Sequence, residues 1–147
     1  IDDKGSSSTK KYLELIDISI SCGSLKKASA KIKIKIFNKT KILKKDGNGP
    51  IDAIFSALKN VIPNKINLLV YQVNAITKGT DAIAEVSVRI QEDSITVLGQ
   101  GSDLDTMVAS AKAYINAINK LIVKRDKLKD AKNKIFESNE KVDKHVI

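Results

Sequence analysis

The sequence predicts an α+β fold in which two strand–strand–strand–helix (βββα) units pack as one domain. One observation is strict alternation. Ala30, Ile32, Ile34 and Ile36 are separated by Lys31, Lys33 and Lys35, the signature of a strand with one buried and one solvated face. A second is a change of period. After Pro50, and again beyond Gly101, apolar residues recur every three or four positions, as on one face of an amphipathic helix. The third is that this succession of strands and then a helix occurs twice.

The elements follow in order. Residues 1–11 carry Gly5-Ser6-Ser7-Ser8-Thr9, a linker composition, and order is expected from Tyr12. Tyr12 to Cys22 reads as a strand with Ile16, Ile18, Ile20 and Cys22 on one face. Gly23-Ser24 turns the chain into the Ala30–Ile36 strand. Phe37-Asn38-Lys39-Thr40 makes a tight turn, and Lys41–Lys45 is a short third strand. Ile51, Ile54, Phe55, Leu58, Val61 and Ile62 then form a helix face, with Pro50 in the first turn, where a missing N–H costs nothing, and Pro63-Asn64 as its stop. The second unit begins with a strand from Ile66 to Ile76 and a turn at Lys78-Gly79. Ala84, Val86, Val88 and Ile90 alternate with Glu85, Ser87 and Arg89, Glu92-Asp93 turns, and Ile95–Leu98 is the sixth strand. Gly99-Gln100-Gly101 is expected to lead into the second helix, whose apolar face is Leu104, Met107, Val108, Ala111, Ile115, Ile118, Leu121 and Ile122. The folded domain is thus placed at 12–123. Residues 124–147, nearly all Lys, Asp, Glu and Asn, are expected to be a basic polar tail, partly helical and frayed.

Composition narrows the function classes. The chain is 42% hydrophobic and 29% charged, which is ordinary for a globular domain. No apolar run approaches the roughly 18 to 20 residues that span a bilayer. The start, Ile1-Asp2-Asp3-Lys4, has neither a Met nor a signal-peptide pattern, so the chain reads as a piece of something longer, with the missing part on the N-terminal side. The net charge of +9 fits a nucleic-acid-binding module or a Lys-solvated surface. The cations are dispersed, Trp is absent, and Arg89 and Arg125 are the sole arginines, so stacking and base-edge reading have few candidates. The solvated surface is the favoured explanation, and the nucleic-acid module, with its Lys31, Lys33, Lys35 ladder, is the rival class. A single cysteine, Cys22, cannot form an internal disulfide; it is expected to be a buried structural thiol in a reducing cytoplasm. The single histidine, His145, leaves no partner for a triad and no metal-ligand spacing, so the catalytic and metal residue sets are empty. Asp103 and Asp105 at the second helix start are expected to act as caps.

Two features carry binding chemistry. Gly47-Asn48-Gly49-Pro50 and Gly99-Gln100-Gly101 are both read as strand-to-helix passages, where glycine allows close approach and free N–H groups suit a carboxylate. They read equally well as two tight turns. The stretch from Tyr71 to Ala82 joins an aromatic strand to a polar glycine loop, with small Ala75, Ala82 and Ala84 leaving room beside it. Asp52 and Asp81 could accept hydrogen bonds from an ammonium group. Donors, carboxylates and an apolar recess are what an aliphatic amino acid needs; the alternative is a hairpin whose alanines simply pack.

These residues also resemble a known family. Gly47-Asn48-Gly49-Pro50-Ile51-Asp52-Ala53 resembles the GNGP-x-DA segment of the C-terminal regulatory domain of 2-isopropylmalate synthases and their citramalate-synthase relatives. Tyr71-Gln72-Val73, Ala75-Ile76 and Gly79-Thr80-Asp81-Ala82 resemble its Y-x-V-x-AIT-x-GTDA segment, Gly99 to Leu121 its final helix, and Leu15 to Ser24 its opening strand. The resemblance covers about Tyr12 to Ile122. It implies a non-catalytic regulatory module that forms a homodimer and binds a branched-chain amino acid, leucine or isoleucine, which inhibits a separate N-terminal catalytic domain. That barrel would be an acetyl-CoA-dependent acyltransferase using a divalent metal; the fragment itself would hold no cofactor. By position the effector residues would be Gly47, Gly49, Ile51, Asp52, Leu68, Tyr71, Ala75, Thr80, Asp81, Ala82, Ala84, Leu104 and Thr106, drawn from both partners of the dimer. The intact GNGP leans toward the leucine-responsive isopropylmalate enzymes over the isoleucine-responsive citramalate ones. A structural dimerisation domain with a degenerate pocket is the remaining possibility.

Overall fold

A computed structural model describes the backbone of residues 12–61, 65–79 and 81–146, and side chains as far as Leu128 apart from Lys26, Lys78 and Asp81. Three strands, β1 (Leu13–Gly23), β2 (Lys26–Ile36) and β3 (Lys39–Gly47), are followed by helix α1 (Pro50–Lys59). Then β4 (Asn67–Lys78), β5 (Asp81–Glu92) and β6 (Ile95–Asp103) are followed by α2 (Thr106–Val146). Each trio is an antiparallel meander, in the order β1-β2-β3 and β4-β5-β6. The expected α+β fold of two βββα units is therefore observed. Pro63-Asn64, the expected stop of the first helix, lies outside the described residues.

Alternation sets the sheet faces. Ala30, Ile32 and Ile34 of β2 are buried while Lys31, Lys33 and Lys35 are exposed. On β5 the buried set is Ala84, Val86, Val88 and Ile90. β1 departs from the expected pattern. Its register shifts between Leu15 and Asp17, so Leu13, Leu15, Ile18 and Ile20 oppose the inward residues of β2, and Ile16 turns out to solvent. A bulge adds one residue and inverts the face, which strict period two cannot foresee. Cys22 is exposed, not buried as expected, because a second irregularity between Ser21 and Gly23 takes the strand end off the core.

The largest correction concerns Gly99-Gln100-Gly101. Both glycines lie inside β6, which continues to Asp103, and only Leu104 and Asp105 separate strand from helix. Their role is packing. A Cβ on Gly101 would lie 2.5 Å from the Ala113 amide nitrogen, and one on Gly99 would strike the backbone of Ala113 and Ala117. The missing side chains let α2 settle onto β6 through Ala109, Ala113 and Ala117, all fully buried. The burial on α2 is accordingly wider than one stripe, taking in Tyr114, Ile115, Ile118 and Leu121 as well. Leu104, expected on this apolar face, precedes the helix and is 71% exposed.

α2 also holds the two units together. Its buried Asn119 accepts from the Tyr12 and Leu13 amides through Oδ1 (2.9 and 2.8 Å) and donates through Nδ2 to the Leu13 carbonyl (2.9 Å). Toward β6, Asn116 Oδ1 accepts from the Gln100 amide, and the Lys120 and Lys124 ammonium groups donate to the Leu98 and Thr96 carbonyls. Beyond the core the backbone stays helical to Val146.

Tyr114 sits at the centre of the helix packing, 2% exposed, and burial pushes its phenol up from 10.0 to about 12. The folded chain then holds this proton more tightly than the unfolded chain. The associated stability is complete below pH 10 and is lost as pH rises through about 12. Urea unfolding of Tyr114→Phe should show a shallower loss of stability across that window than the parent; equal slopes would show that the phenol does not contribute.

Candidate functional site

The residues singled out from the sequence fall into two groups. The first surrounds the start of α1. Gly49 is the N-cap with extended backbone (φ −173°), Pro50 is the first helical residue, and the Gly49 carbonyl accepts from the Ala53 amide. Gly47 ends β3 directly against the helix: a Cβ there would lie 2.5 Å from the Ala53 nitrogen and 2.8 Å from Asp52 Oδ2. Ile51 is half-buried against the core. Asp52 is exposed, and its Oδ2 accepts from the Asn48 amide at 2.9 Å. Its carboxylate thus tightens the turn and sits at the positive end of the helix dipole.

The second group lies on the helix-facing side of the second sheet. Tyr71 pairs with Val88, Val73 with Val86, and Ala75 with Ala84, and all three partners are buried inward. A bulge between Leu68 and Val70 keeps Leu68, opposite Ile90, on the same face as Tyr71. Across β5, Ala84 pairs with Asp103, so Ala75, Ala84 and Asp103 form one row ending beside Leu104. Ala82, opposite Thr77, is exposed. Thr106 opens α2, and its carbonyl accepts from the Ser110 hydroxyl (2.7 Å). Ser110 Oγ in turn lies 2.8 Å from the Tyr71 hydroxyl, which acts as donor because the Ser110 proton is already committed. Thr80 and the Asp81 side chain lie outside the described residues.

Of the two expected caps, Asp105 caps α2, whereas Asp103 ends β6 and accepts from the Asp105 amide. Asp105 Oδ1 accepts from the Met107 amide at 2.8 Å, and its carbonyl accepts from Ala109. The Asp105 amide, and then Lys112, hold the Asp103 carboxyl below the usual carboxylate range.

Phe55 connects the two groups. It lies one turn beyond Ile51 on α1 and meets Tyr71 edge-on (5.4 Å) and Tyr114 stacked (4.8 Å). Val73 is nevertheless 41% exposed and Ala75 is exposed, so the helices leave this part of β4 uncovered beside the buried Ala84. Two clefts, of about 430 and 610 Å³, open elsewhere, around α2 and β6, and include none of the residues singled out for effector binding.

The sequence reading missed Phe55, Ser110, Tyr114 and Asn119 as organising residues. A polar residue inside an apolar helical stretch was the available signal for Ser110 and Asn119. Among the described residues no group of His, Cys, Asp and Glu could hold a metal, and no helix is long and apolar enough to cross a membrane.

The comparisons with known proteins agree with one another. Residues 1–122 match the LeuA allosteric (dimerisation) domain family. The chain is 42% identical over 125 residues to a 2-isopropylmalate synthase of Bradyrhizobium sp. strain BTAi1, covering 85% of this chain and 24% of that protein. It is likewise 42% identical over 125 residues to the 2-isopropylmalate synthase of Afipia carboxidovorans, again covering 85% and 24%. It is 43% identical over 115 residues to that of Rhodopseudomonas palustris strain BisA53, covering 78% and 22%. The chain therefore spans about a quarter of the length of the curated relatives it matches.

Proposed function

Because the chain belongs to the LeuA allosteric (dimerisation) domain family, we propose that it is the feedback-inhibition domain of a 2-isopropylmalate synthase and binds leucine at an interface between two copies. The observation that carries this reading is the apolar floor formed by Tyr71, Val73, Ala75 and Ala84 on one sheet face, which the helices leave uncovered at Val73 and Ala75. An aliphatic side chain would lie on that floor. The start of α1 would supply backbone donors for the carboxylate, and Asp52, with Asp81, an acceptor for the ammonium. An apolar floor left uncovered in a single chain is what a pocket completed by a second copy requires. β4 offers the surface for that copy, since Leu68, Leu69, Val70, Val73 and Ile76 are each 39% to 48% exposed. The effector would act by binding the inhibited arrangement more tightly and shifting the population toward it, at the expense of an N-terminal acetyl-CoA-dependent catalytic domain that uses a divalent metal.

Calorimetric titration with leucine, isoleucine and valine tests the proposal. Saturable binding of leucine, about tenfold tighter than of the others, is the expected result, since one branch point is worth only ~1–3 kcal/mol. A preference for isoleucine would assign the chain to a citramalate-type regulator instead. Ala75→Leu, which adds bulk to that floor at an exposed strand position, should abolish binding without unfolding the domain, and Asp52→Ala should weaken it by about tenfold. Unchanged affinity in both variants would move the site elsewhere; a folded dimer indifferent to all three amino acids would leave a structural domain.

A further inference from the structure

The cleft of about 610 Å³ along the outer side of β6 is lined, among the described residues, by four cations, Arg89, Lys120, Lys124 and Lys127, and by no carboxylate. Val97, Leu98 and Val123 form its apolar part. This sets it apart from the 430 Å³ cleft between β1 and α2, which contains Glu14 and a Lys112 already paired with Asp103. Two described acids of the same region are engaged elsewhere: Glu92 with Arg125 at 3.1 Å, and Asp126 with the Tyr12 hydroxyl.

Two of the lysines differ from freely solvated ones. Lys120 and Lys124 donate to the carbonyls of Leu98 and Thr96, at 2.9 and 3.1 Å. Carbonyls two residues apart along a strand are separated by roughly 7 Å, so the ammonium groups are held in a row. Each keeps two further N–H donors, and the ordering of its side chain is already complete before an anion arrives. Arg89, beside Leu98 in the ladder, and Lys127, one turn beyond Val123 and Lys124 on α2, flank that row.

We propose that this groove is a binding site for a small molecule carrying linked phosphates, such as a nucleoside di- or triphosphate, with the apolar part of the ligand against Val97, Leu98 and Val123. Two fixed ammonium groups can close on the ends of a short phosphate chain, and the guanidinium of Arg89 can engage phosphate oxygens in pairs. The volume lies within the range of small-molecule sites, about 300–1,000 Å³. The site shares no residue with the proposed leucine site and stands or falls independently of it.

The test is a titration of the full 147-residue chain with inorganic tripolyphosphate and with ADP, followed by backbone amide chemical shifts. Saturable shifts confined to Arg89, Thr96–Leu98 and Lys120–Lys127 are expected. In the Arg89→Gln, Lys127→Gln double variant, whose side chains make no backbone hydrogen bond among the described residues, the dissociation constant should rise about tenfold or more. Leucine binding should be unaffected. Equal shifts from sulfate at matched ionic strength, or unchanged affinity in the double variant, would overturn the proposal. So would single-stranded oligonucleotides that bind with an affinity growing steadily with length, which would mark an extended nucleic-acid surface instead.

Discussion

Gly99→Val is expected to unfold at a far lower urea concentration than the parent chain, with a loss of about 3 kcal/mol or more and the same again for Gly101→Val. The added carbons would meet backbone atoms of α2, at Ala113 and Ala117 for Gly99 and at Ala109 and Ala113 for Gly101. Side chains can rotate away from an intruding methyl; the backbone of a long helix can only move as a body. The helix backbone met there belongs to alanines, Ala109, Ala113 and Ala117, so trimming a side chain cannot relieve the clash. Gly49→Ala is the control. Its backbone is extended, nothing lies within 4 Å of the added carbon, and its midpoint should barely move. If Gly99→Val matched the control, α2 would not sit against β6 as closely as described.

Asn119→Leu is the second large effect. The replacement keeps most of the volume but leaves the Tyr12 and Leu13 amides and the Leu13 carbonyl without their partner. An orphaned buried polar group costs about 1–3 kcal/mol, so a total of about 3–5 kcal/mol is expected. Asn119→Asp should fall between, since its carboxylate still accepts from both amides but cannot donate to the carbonyl. Amide exchange separates this loss from a general one: protection at Tyr12 and Leu13 should fall well before that of β5. A parental midpoint for Asn119→Leu would mean that β1 is held to α2 by apolar contact alone.

The legible part of this fold was whatever depends on period. Lys31, Lys33 and Lys35 against Ala30, Ile32 and Ile34 leave no doubt about a half-buried strand, and the spacing from Ile51 to Leu58 leaves none about α1. Bulges were not legible. The extra residue at Ile16 moves half of β1 to the other face, and the one at Leu69 keeps Leu68 and Tyr71 together; neither changes composition. Glycine was misread for a related reason. At Gly79, with φ +62°, it serves a turn as the sequence implies, but at Gly99 and Gly101 it serves a close approach between elements that are remote until the chain folds. The candidate effector residues were placed by family resemblance, and the sharing of one sheet face by Leu68, Tyr71, Ala75 and Ala84 follows from registers that no local pattern specifies. Ser110, which ties Tyr71 to the start of α2, belongs to the same class of long-range fact.

The three bonds from Asn116, Lys120 and Lys124 to β6 bear on how copies of this chain can assemble. A strand at the margin of a sheet is a template for another strand, and a sheet with two free margins can propagate without limit. In the second sheet one margin is occupied by the domain's own helix, through two ammonium groups and an amide. Strand addition through this sheet is left with β4 alone. A pair joined through β4 would use up the last free margin of this sheet in each copy, so the second sheet could not extend beyond two. The helix that fills the core therefore also limits strand addition through this sheet to one partner.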